Sequence, residues 1–227
     1  EIDSEEFGQP IATTMEEIVE QYRQVFLALH GGIGEDGTLQ SLLEKHDIIF
    51  NGPSGEATRL AMNKQVTADA VAEIDLEGVF SIPGITISMD ELNEKVSSNA
   101  DELWKSILTQ TTARLVIAKP VADGCSSGVV RLHSAIDLAR YISLSSTGGG
   151  FIPPNSFRDQ PERIELALDV PDGIRFEKCI KTDVVRVKGG ELKHTSKTNM
   201  IEITIGVVER DGVMKAMHPS LTVAESA

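Results

Sequence analysis

The sequence predicts an α/β chain that turns to antiparallel strands toward its end, on three observations. A short apolar run at residues 25–29 leads through a glycine-rich turn into the helix-periodic segment 38–45 and then into a second apolar run at 48–50. That order is a βα unit, and a run apolar at every position is what a strand buried on both faces of a parallel sheet needs. Strings of capping-box form open two further helices, and beyond residue 161 the apolar period changes to two.

Taken in order, Thr14-Met15-Glu16-Glu17 caps a helix reaching about Gln24, because its hydroxyl and carboxylate each satisfy a backbone NH of the first turn. The βα unit follows, then the turn Asn51-Gly52-Pro53-Ser54-Gly55 and a helix over 56–64. Ser88-Met89-Asp90-Glu91 opens a helix to about Leu108 with a polar break at 97–99. Strands are expected at 114–119 and 129–132 around the turn 121–127, and a helix at 135–142 capped by Ser134. Residues 143–161, with Gly148-Gly149-Gly150 and Pro153-Pro154, read as a loop or linker and a candidate boundary. Period-two segments at 174–177, 183–188, 201–209 and 213–217, with turns at Gly189-Gly190 and Asp211-Gly212, predict an antiparallel meander. There is no internal repeat.

Composition narrows the class. At 227 residues the chain is long enough for one large domain or two small ones. A hydrophobic share of 41% and a charged share of 25% exclude a disordered chain. Acidic residues outnumber basic ones 35 to 21, a net charge of −14, and that field repels a nucleic-acid backbone unless its cations converge locally. Cys125 and Cys179 lie far apart without CxxC spacing, so a disulfide framework and a zinc knuckle are both disfavoured and a reducing compartment fits. No apolar run approaches the ~20 residues of a membrane span. The acidic start Glu1-Ile2-Asp3-Ser4-Glu5-Glu6 is no targeting signal, and the missing initiator methionine points to a processed or excised piece.

Three segments are candidates for chemistry, each at the end of an expected strand. His30-Gly31-Gly32-Ile33-Gly34-Glu35-Asp36-Gly37 precedes a helix, so its glycines can turn backbone NH groups toward an anion while the helix adds its positive end. The bland alternative is a tight turn carrying a surface histidine. Lys119-Pro120, with Gly124-Cys125-Ser126-Ser127-Gly128, combines a point charge with a loop of NH donors, as a phosphate site requires; an ordinary turn with a solvated lysine is the alternative. Glu177 and Lys178 alternate faces of a strand, so only one can face a given cleft. Gly124-x-Ser126-x-Gly128 also has the form of a serine-hydrolase nucleophile elbow, with His194 or His218 as base and Asp211 as orienting acid. An elbow needs a helix after its serine, whereas a strand is expected here. A Cys125 thiolate nucleophile lacks a histidine that the sequence can place beside it. The histidines at 30, 46, 133, 194 and 218 show no metal-ligand spacing.

The order of these segments resembles a known family. His30-Gly31-Gly32-Ile33-Gly34-Glu35-Asp36-Gly37-Thr38-Leu39-Gln40 resembles the HGxxGEDGxxQ signature of the D-alanine–D-alanine ligases, and Ala61-Met62-Asn63-Lys64 their AMDK segment. Ile117-Ala118-Lys119-Pro120 with Gly124-Cys125-Ser126-Ser127-Gly128 is similar to the family's VKP and GSSVG loop. Phe176-Glu177-Lys178-Cys179-Ile180 is similar to its IEKxL strand, and Glu202-Ile203-Thr204-Ile205-Gly206-Val207 to its ExTVGV strand. Ile152-Pro153-Pro154-Asn155-Ser156-Phe157 resembles a string of plant chloroplast members.

The resemblance implies an α/β, α+β ATP-grasp fold: residues 1–62 as the end of a Rossmann-like N-terminal subdomain, 63–180 as the small nucleotide-binding subdomain, and 181–227 as the start of the large one. It implies an ATP-dependent ligase that phosphorylates the carboxylate of one D-alanine, or a related small D-amino acid, and lets the amine of a second attack the acyl phosphate. Lys64 and Lys119 would hold ATP phosphates, and Cys125, Ser126, Ser127 and Gly128 would form the loop closing over them. Glu177 and the Ile180 backbone would recognise adenine, Lys178 would approach its ring, and Glu202 would bind the ribose. His30 would sit beside the D-alanine and acyl-phosphate site, and His30 and Ser126 are the catalytic candidates.

The first serine of the family loop is Cys125 here, its valine is Ser127, and the aspartate before the first phosphate lysine is Asn63. The string Thr222-Val223-Ala224-Glu225-Ser226-Ala227 ends the chain before the segment in which the family carries its Mg2+ ligands, so the expectation is a fragment lacking both ends and inactive alone. The family implies a homodimer, no nucleic acid and no membrane, in the chloroplast stroma for a plant source and the cytoplasm otherwise. A catalytically inactive ATP-grasp homologue serving as a nucleotide-binding or interaction domain is the other reading, with a Ser126 hydrolase behind it.

Overall fold

The computed structural model describes residues 11–221 and 223, so the acidic start at 1–6 and the terminal residues 222 and 224–227 lie outside the described residues. The chain divides into two compact units, Glu1–Lys178 and Cys179–Ala227.

The first unit begins with α1 (Met15–Gln21), and its predicted capping box is formed. Thr14 Oγ1 accepts from Glu17 N at 3.2 Å, and the Glu17 carboxylate accepts from Thr14 N at 2.9 Å. α1 stops before Gln24 because Gln24–Val25 is a strand, β1, paired parallel with β2 (Ile49–Phe50). Between them lie a 3-10 turn at Gly32–Gly34 and α2 (Thr38–Lys45). Leu39, Leu43 and Ile48 are buried there against Met15, Ile18 and Val25. The expectation of a strand over 25–29 buried on both faces is corrected: only Gln24 and Val25 pair, and Phe26 is 80% exposed, because this two-stranded sheet is covered on one side alone.

The helix expected over 56–64 is two helices, α3 (Gly55–Met62) and α4 (Lys64–Ala72). Asn63 separates them. Its extended backbone ends α3, and its side chain accepts from Gln65 N and Val66 N to cap α4, the local hydrogen bonding that makes asparagine favour caps over helix interiors.

The rest of the unit is a four-stranded antiparallel sheet in the order β3-β8-β4-β5, made of β3 (Gly84–Ser88), β4 (Val116–Pro120), β5 (Val130–Leu132) and β8 (Gly173–Lys178). β3 was not anticipated. Strand 174–177, read as part of the C-terminal meander, instead sits between β3 and β4, the interior place that suits a strand buried on both faces. α5 (Met89–Gln110), with its expected break at Asn99, and α6 (Ala135–Ser145) cover one face. Leu92, Ile107, Leu138, Ile142, Val116 and Phe176 are at most 1% exposed in that core. Each buries side-chain surface worth about 1.5–3 kcal/mol. The glycine- and proline-rich stretch 143–161 lies within this unit, where β6 (Phe151–Ile152) pairs with β7 (Ile164–Glu165).

The second unit holds two hairpins, β9–β10 (Val184–Lys188 and Glu191–Thr195) and β11–β12 (Val207–Arg210 and Val213–Ala216), turning at the predicted Gly189-Gly190 and Asp211-Gly212. The expected strand 201–209 is ordered as strand only from Val207, with a single bridge from Thr204 to Ser220. Asp183 organises the segment after β10: its Oδ1 accepts from Lys197 N, Thr198 N and Asn199 N at 2.6–3.1 Å, and its Oδ2 meets His194 Nε2 at 2.9 Å. Among the described residues no helix is long and apolar enough to cross a membrane.

Candidate functional site

The period of two along β8 puts Arg175 and Glu177 on one face of the sheet and Ile174 and Phe176 on the other, in the core. Register then decides the neighbours: Lys119 of β4 and Thr86 of β3 both stand opposite Arg175, and Gly84 stands opposite Glu177. The Glu177 carboxylate bridges two cations, with Lys119 Nζ 2.5 Å from Oε2 and Arg175 Nε 2.6 Å from Oε1. Arg175, 2% exposed, also donates to Gln65 Oε1, which accepts from Thr86 Oγ1 at 2.8 Å. A buried guanidinium is tolerated only with such partners.

Gly84 makes the arrangement fit, since a Cβ there would lie 2.8 Å from Glu177 Cγ and 3.0 Å from Arg175 Nη2.

Lys64, the first residue of α4, joins this face from above. Its backbone NH donates to Val121 O at 2.8 Å and its Nζ to Asp123 O at 2.6 Å, tying α4 to the end of β4. Burial, with the nearby Lys119 charge, holds its ammonium below the usual lysine range against the opposing pull of Asp123 and Glu177. Lys64, Lys119 and Arg175 thus stand against the carboxylates Glu177 and Asp123, leaving a local excess of positive charge in a strongly acidic chain.

Beside Lys64 opens a cavity of ≈ 420 Å³ lined by Gly34, Glu35, Gln40, Met62, Asp123 and Gly124 among others. Two buried acceptors there, Gln40 Oε1 and Asp123 Oδ2, have no hydrogen-bond partner among the described residues.

The glycine-rich segment after β1 departs from the open anion loop the sequence predicts. Its 3-10 turn uses the NH groups of Gly34, Glu35 and Asp36 internally, and the Asp36 carboxylate accepts from Thr38 N at 2.8 Å, occupying the helix start. The loop 124–128 is likewise committed: the NH groups of Gly124, Ser127 and Gly128 go to Asp123 Oδ1, Gly124 O and Glu165 O. Tyr141 donates to Gly128 O at 2.8 Å. Ser126 is exposed and runs directly into β5, so the helix that a serine elbow needs is not there.

His30 meets Cys125 rather than Ser126. Its Nε2 lies 2.7 Å from Cys125 Sγ and its Nδ1 2.9 Å from Glu35 Oε1. This supplies the histidine that the sequence could not place beside Cys125. His194, offered as a hydrolase base oriented by Asp211, is held by Asp183 instead.

Of the residues singled out, the structure brings Lys64, Lys119 and Glu177 together and His30 beside Cys125. Lys178, by strand alternation, points to the face opposite Glu177 and is exposed. Ile180 and Glu202 are exposed residues of the second unit. Among the described residues no group of three or more His, Cys, Asp or Glu side chains converges to hold a metal ion. Sequence reading missed Arg175, Gln65, Gly84 and Asp123; Arg175 had a usable signal, its place two residues before Glu177 on the same strand face.

No family model matches the chain. Curated relatives do. A D-alanine–D-alanine ligase of Chlorobium limicola is 34% identical over 110 residues, 48% of this chain and 28% of its own length. One from Polynucleobacter asymbioticus is 26% identical over 145 residues, 64% of this chain and 39% of its own length. Over these stretches the chain is similar to D-alanine–D-alanine ligases. The fold agrees. The D-alanine–D-alanine ligase structure from Coxiella burnetii matches 87% of this chain and 43% of its own with a TM-score of 0.55 at 19% identity. The D-alanyl-alanine synthetase A of Vibrio cholerae matches 86% and 44%, also at 0.55, with 16% identity. The α/β chain is therefore an ATP-grasp α+β fold, and it spans 28–39% of the length of these curated family members.

Proposed function

We propose that the chain carries the nucleotide-gripping part of an ATP-dependent ligase that joins two small D-amino acids, D-alanine to D-alanine, through an acyl phosphate. The observation that carries the reading is the meeting of Lys64, Lys119 and Glu177 from three separate elements on one face of the sheet. In this reading Lys64 and Lys119 hold phosphate oxygens of ATP. Phosphoryl transfer spreads charge over those oxygens, and fixed cations in a partly desolvated site stabilise it without a covalent nucleophile. Glu177 keeps Lys119 aimed, and Arg175 keeps Glu177 in place. The similarity to these ligases implies Mg2+ as the companion of ATP, but no cluster of three or more His, Cys, Asp or Glu side chains that would fit it is present among the described residues.

Calorimetric titration with MgATP tests the site. Binding is expected in the chain as it stands and a loss of at least about tenfold in affinity in Lys64→Ala and in Lys119→Ala, the scale of one charge-assisted contact. Unchanged affinity in both folded variants overturns the assignment. Ligation of D-alanine by a longer chain then tests the reaction itself.

A further inference from the structure

Cys125, His30 and Glu35 form a relay. A proton on Nδ1 of His30, where the Glu35 carboxylate accepts it, leaves Nε2 an acceptor at 2.7 Å from the Cys125 sulfur. That order of thiol, imidazole and orienting carboxylate is how proteins activate a thiol for attack. The sulfur and the imidazole are both exposed, with 76% of the His30 side chain open to solvent, so a soluble reagent can reach them. The chemistry of the electrophile follows from the loop. Attack on a carbonyl builds an oxyanion that needs converging NH donors, and Gly124, Ser127, Gly128 and Val129 have theirs engaged, which leaves the loop those of Cys125 and Ser126. Attack on a disulfide sulfur builds no oxyanion and asks only that the leaving thiolate receive a proton.

A second, independent observation lies next to the relay. Glu35 and Gly124 line the ≈ 420 Å³ cavity, and the side chain of Gln40, 5% exposed, lines it too. Gln40 donates its Nε2 to Gly34 O at 2.7 Å, which fixes Oε1 as an acceptor without a partner among the described residues. Both acceptors lie in the cavity wall with almost no exposed area, so an N–H seated there reaches them as the wall side chains give way.

We propose that Cys125 is a site of reversible S-thiolation by low-molecular-weight disulfides that bear ammonium or amide N–H groups, with His30 and Glu35 as the activating pair and the Gln40 cavity as the seat of the attached group. The thiol proton passes to His30 Nε2 as the Cys125 sulfur attacks one sulfur of the small disulfide. The new S–S bond forms as the old one breaks, and the electron pair leaves with the departing thiolate, which takes the proton back from His30. Cys125 is oxidised to a mixed disulfide and half of the reagent is reduced to a free thiol. The proposal does not depend on the ligase reading.

The test uses the whole chain with cystamine, a cationic disulfide, and bis(2-hydroxyethyl) disulfide, an uncharged one, with labelling followed by peptide mass mapping. Cys179 in the same chain is the reference, and each cysteine is normalised to its own rate in urea. Cys125 is expected to react on the order of tenfold to a hundredfold faster than Cys179, the scale of a positioned proton acceptor. His30→Gln, with the fold confirmed by circular dichroism, brings the ratio close to one, Glu35→Gln lowers it less, and dithiothreitol removes the adduct. Gln40→Leu is expected to weaken the preference for cystamine, and Gln40→Leu with Asp123→Asn to abolish it, while the faster reaction of Cys125 with the uncharged reagent remains. Equal normalised rates at the two cysteines, or an unchanged ratio in folded His30→Gln, overturn the activated thiol. A cystamine preference that survives Gln40→Leu combined with Asp123→Asn overturns the cavity as the seat of the adduct.

Discussion

Glu177 shows how much one carboxylate decides when two cations share it. Removing it leaves Arg175 buried and half-paired, a situation that costs about 3–5 kcal/mol, more than an exposed ion pair ever contributes. Asp183 in the second unit is the opposite case, a carboxylate satisfied mainly by backbone NH groups. Donation from Lys197 N and then Thr198 N, with His194 adding to it, holds its carboxyl well below the usual carboxylate range. A depressed folded value means that the stabilisation is complete above the unfolded value of about 3.9 and is lost as pH falls from there through the folded one. Hydrogen exchange of the β9–β10 hairpin should therefore speed up as pH drops below about 4, after correction for intrinsic exchange. Asp183→Asn should show the loosened hairpin already at neutral pH and a flat response to acid. An acid response retained in Asp183→Asn would place its origin elsewhere.

At the scale of elements, the loop 124–128 is held by its neighbours more than by its own sequence. Cys125 and Ser126 sit at φ of +52° and +59°, left-handed backbone that costs non-glycine residues energy unless something else holds it. The holding is done from α6 and β7: Tyr141 donates its buried hydroxyl to Gly128 O, and Glu165 O accepts from Gly128 N at 2.8 Å. Tyr141→Phe strands a buried carbonyl while keeping the ring against Phe157, so urea denaturation should show a loss of about 1–3 kcal/mol. No loss at all would mean that Gly128 O has another donor. The break between α3 and α4 is equally local in cause, since Asn63 supplies the cap, yet its consequence is long-range: it starts a new helix with Lys64 at the position that reaches Asp123.

For the whole molecule, the formal charge of −14 and the cluster of Lys64, Lys119 and Arg175 pull in opposite directions, and distance settles which acts where. At physiological salt the screening length is about 8 Å, so a small anion seated against the lysines feels them first, while an extended polyanion lies against the acidic surface as well. Duplex DNA should therefore show no mobility shift at about 150 mM salt in conditions where MgATP binds. A DNA complex whose affinity falls steeply with salt would show that the net charge misleads.

Much was legible in the chain itself. Helix starts were readable at Thr14, Ser88 and Ser134 because capping is a matter of three or four consecutive residues, and the hairpin turns Gly189-Gly190 and Asp211-Gly212 because a left-handed turn selects its residues locally. The candidates Lys64, Lys119, Glu177 and His30 were named from strings with a familiar order. What the sequence could not carry is pairing. That β8 lies between β3 and β4, that Arg175 shares Glu177 with Lys119, that Gly84 clears space for both, and that His30 faces Cys125 rather than Ser126 all depend on strand register and on loops meeting across the unit. Period and capping are properties of neighbours along the chain, so the sequence by itself determined the helix starts, the hairpin turns and the resemblance to a family of ligases. Register and side-chain contact are properties of surfaces that exist only once the core between α5, α6 and the sheet has closed, and so only the tertiary structure decided which charges meet and which thiol has a base.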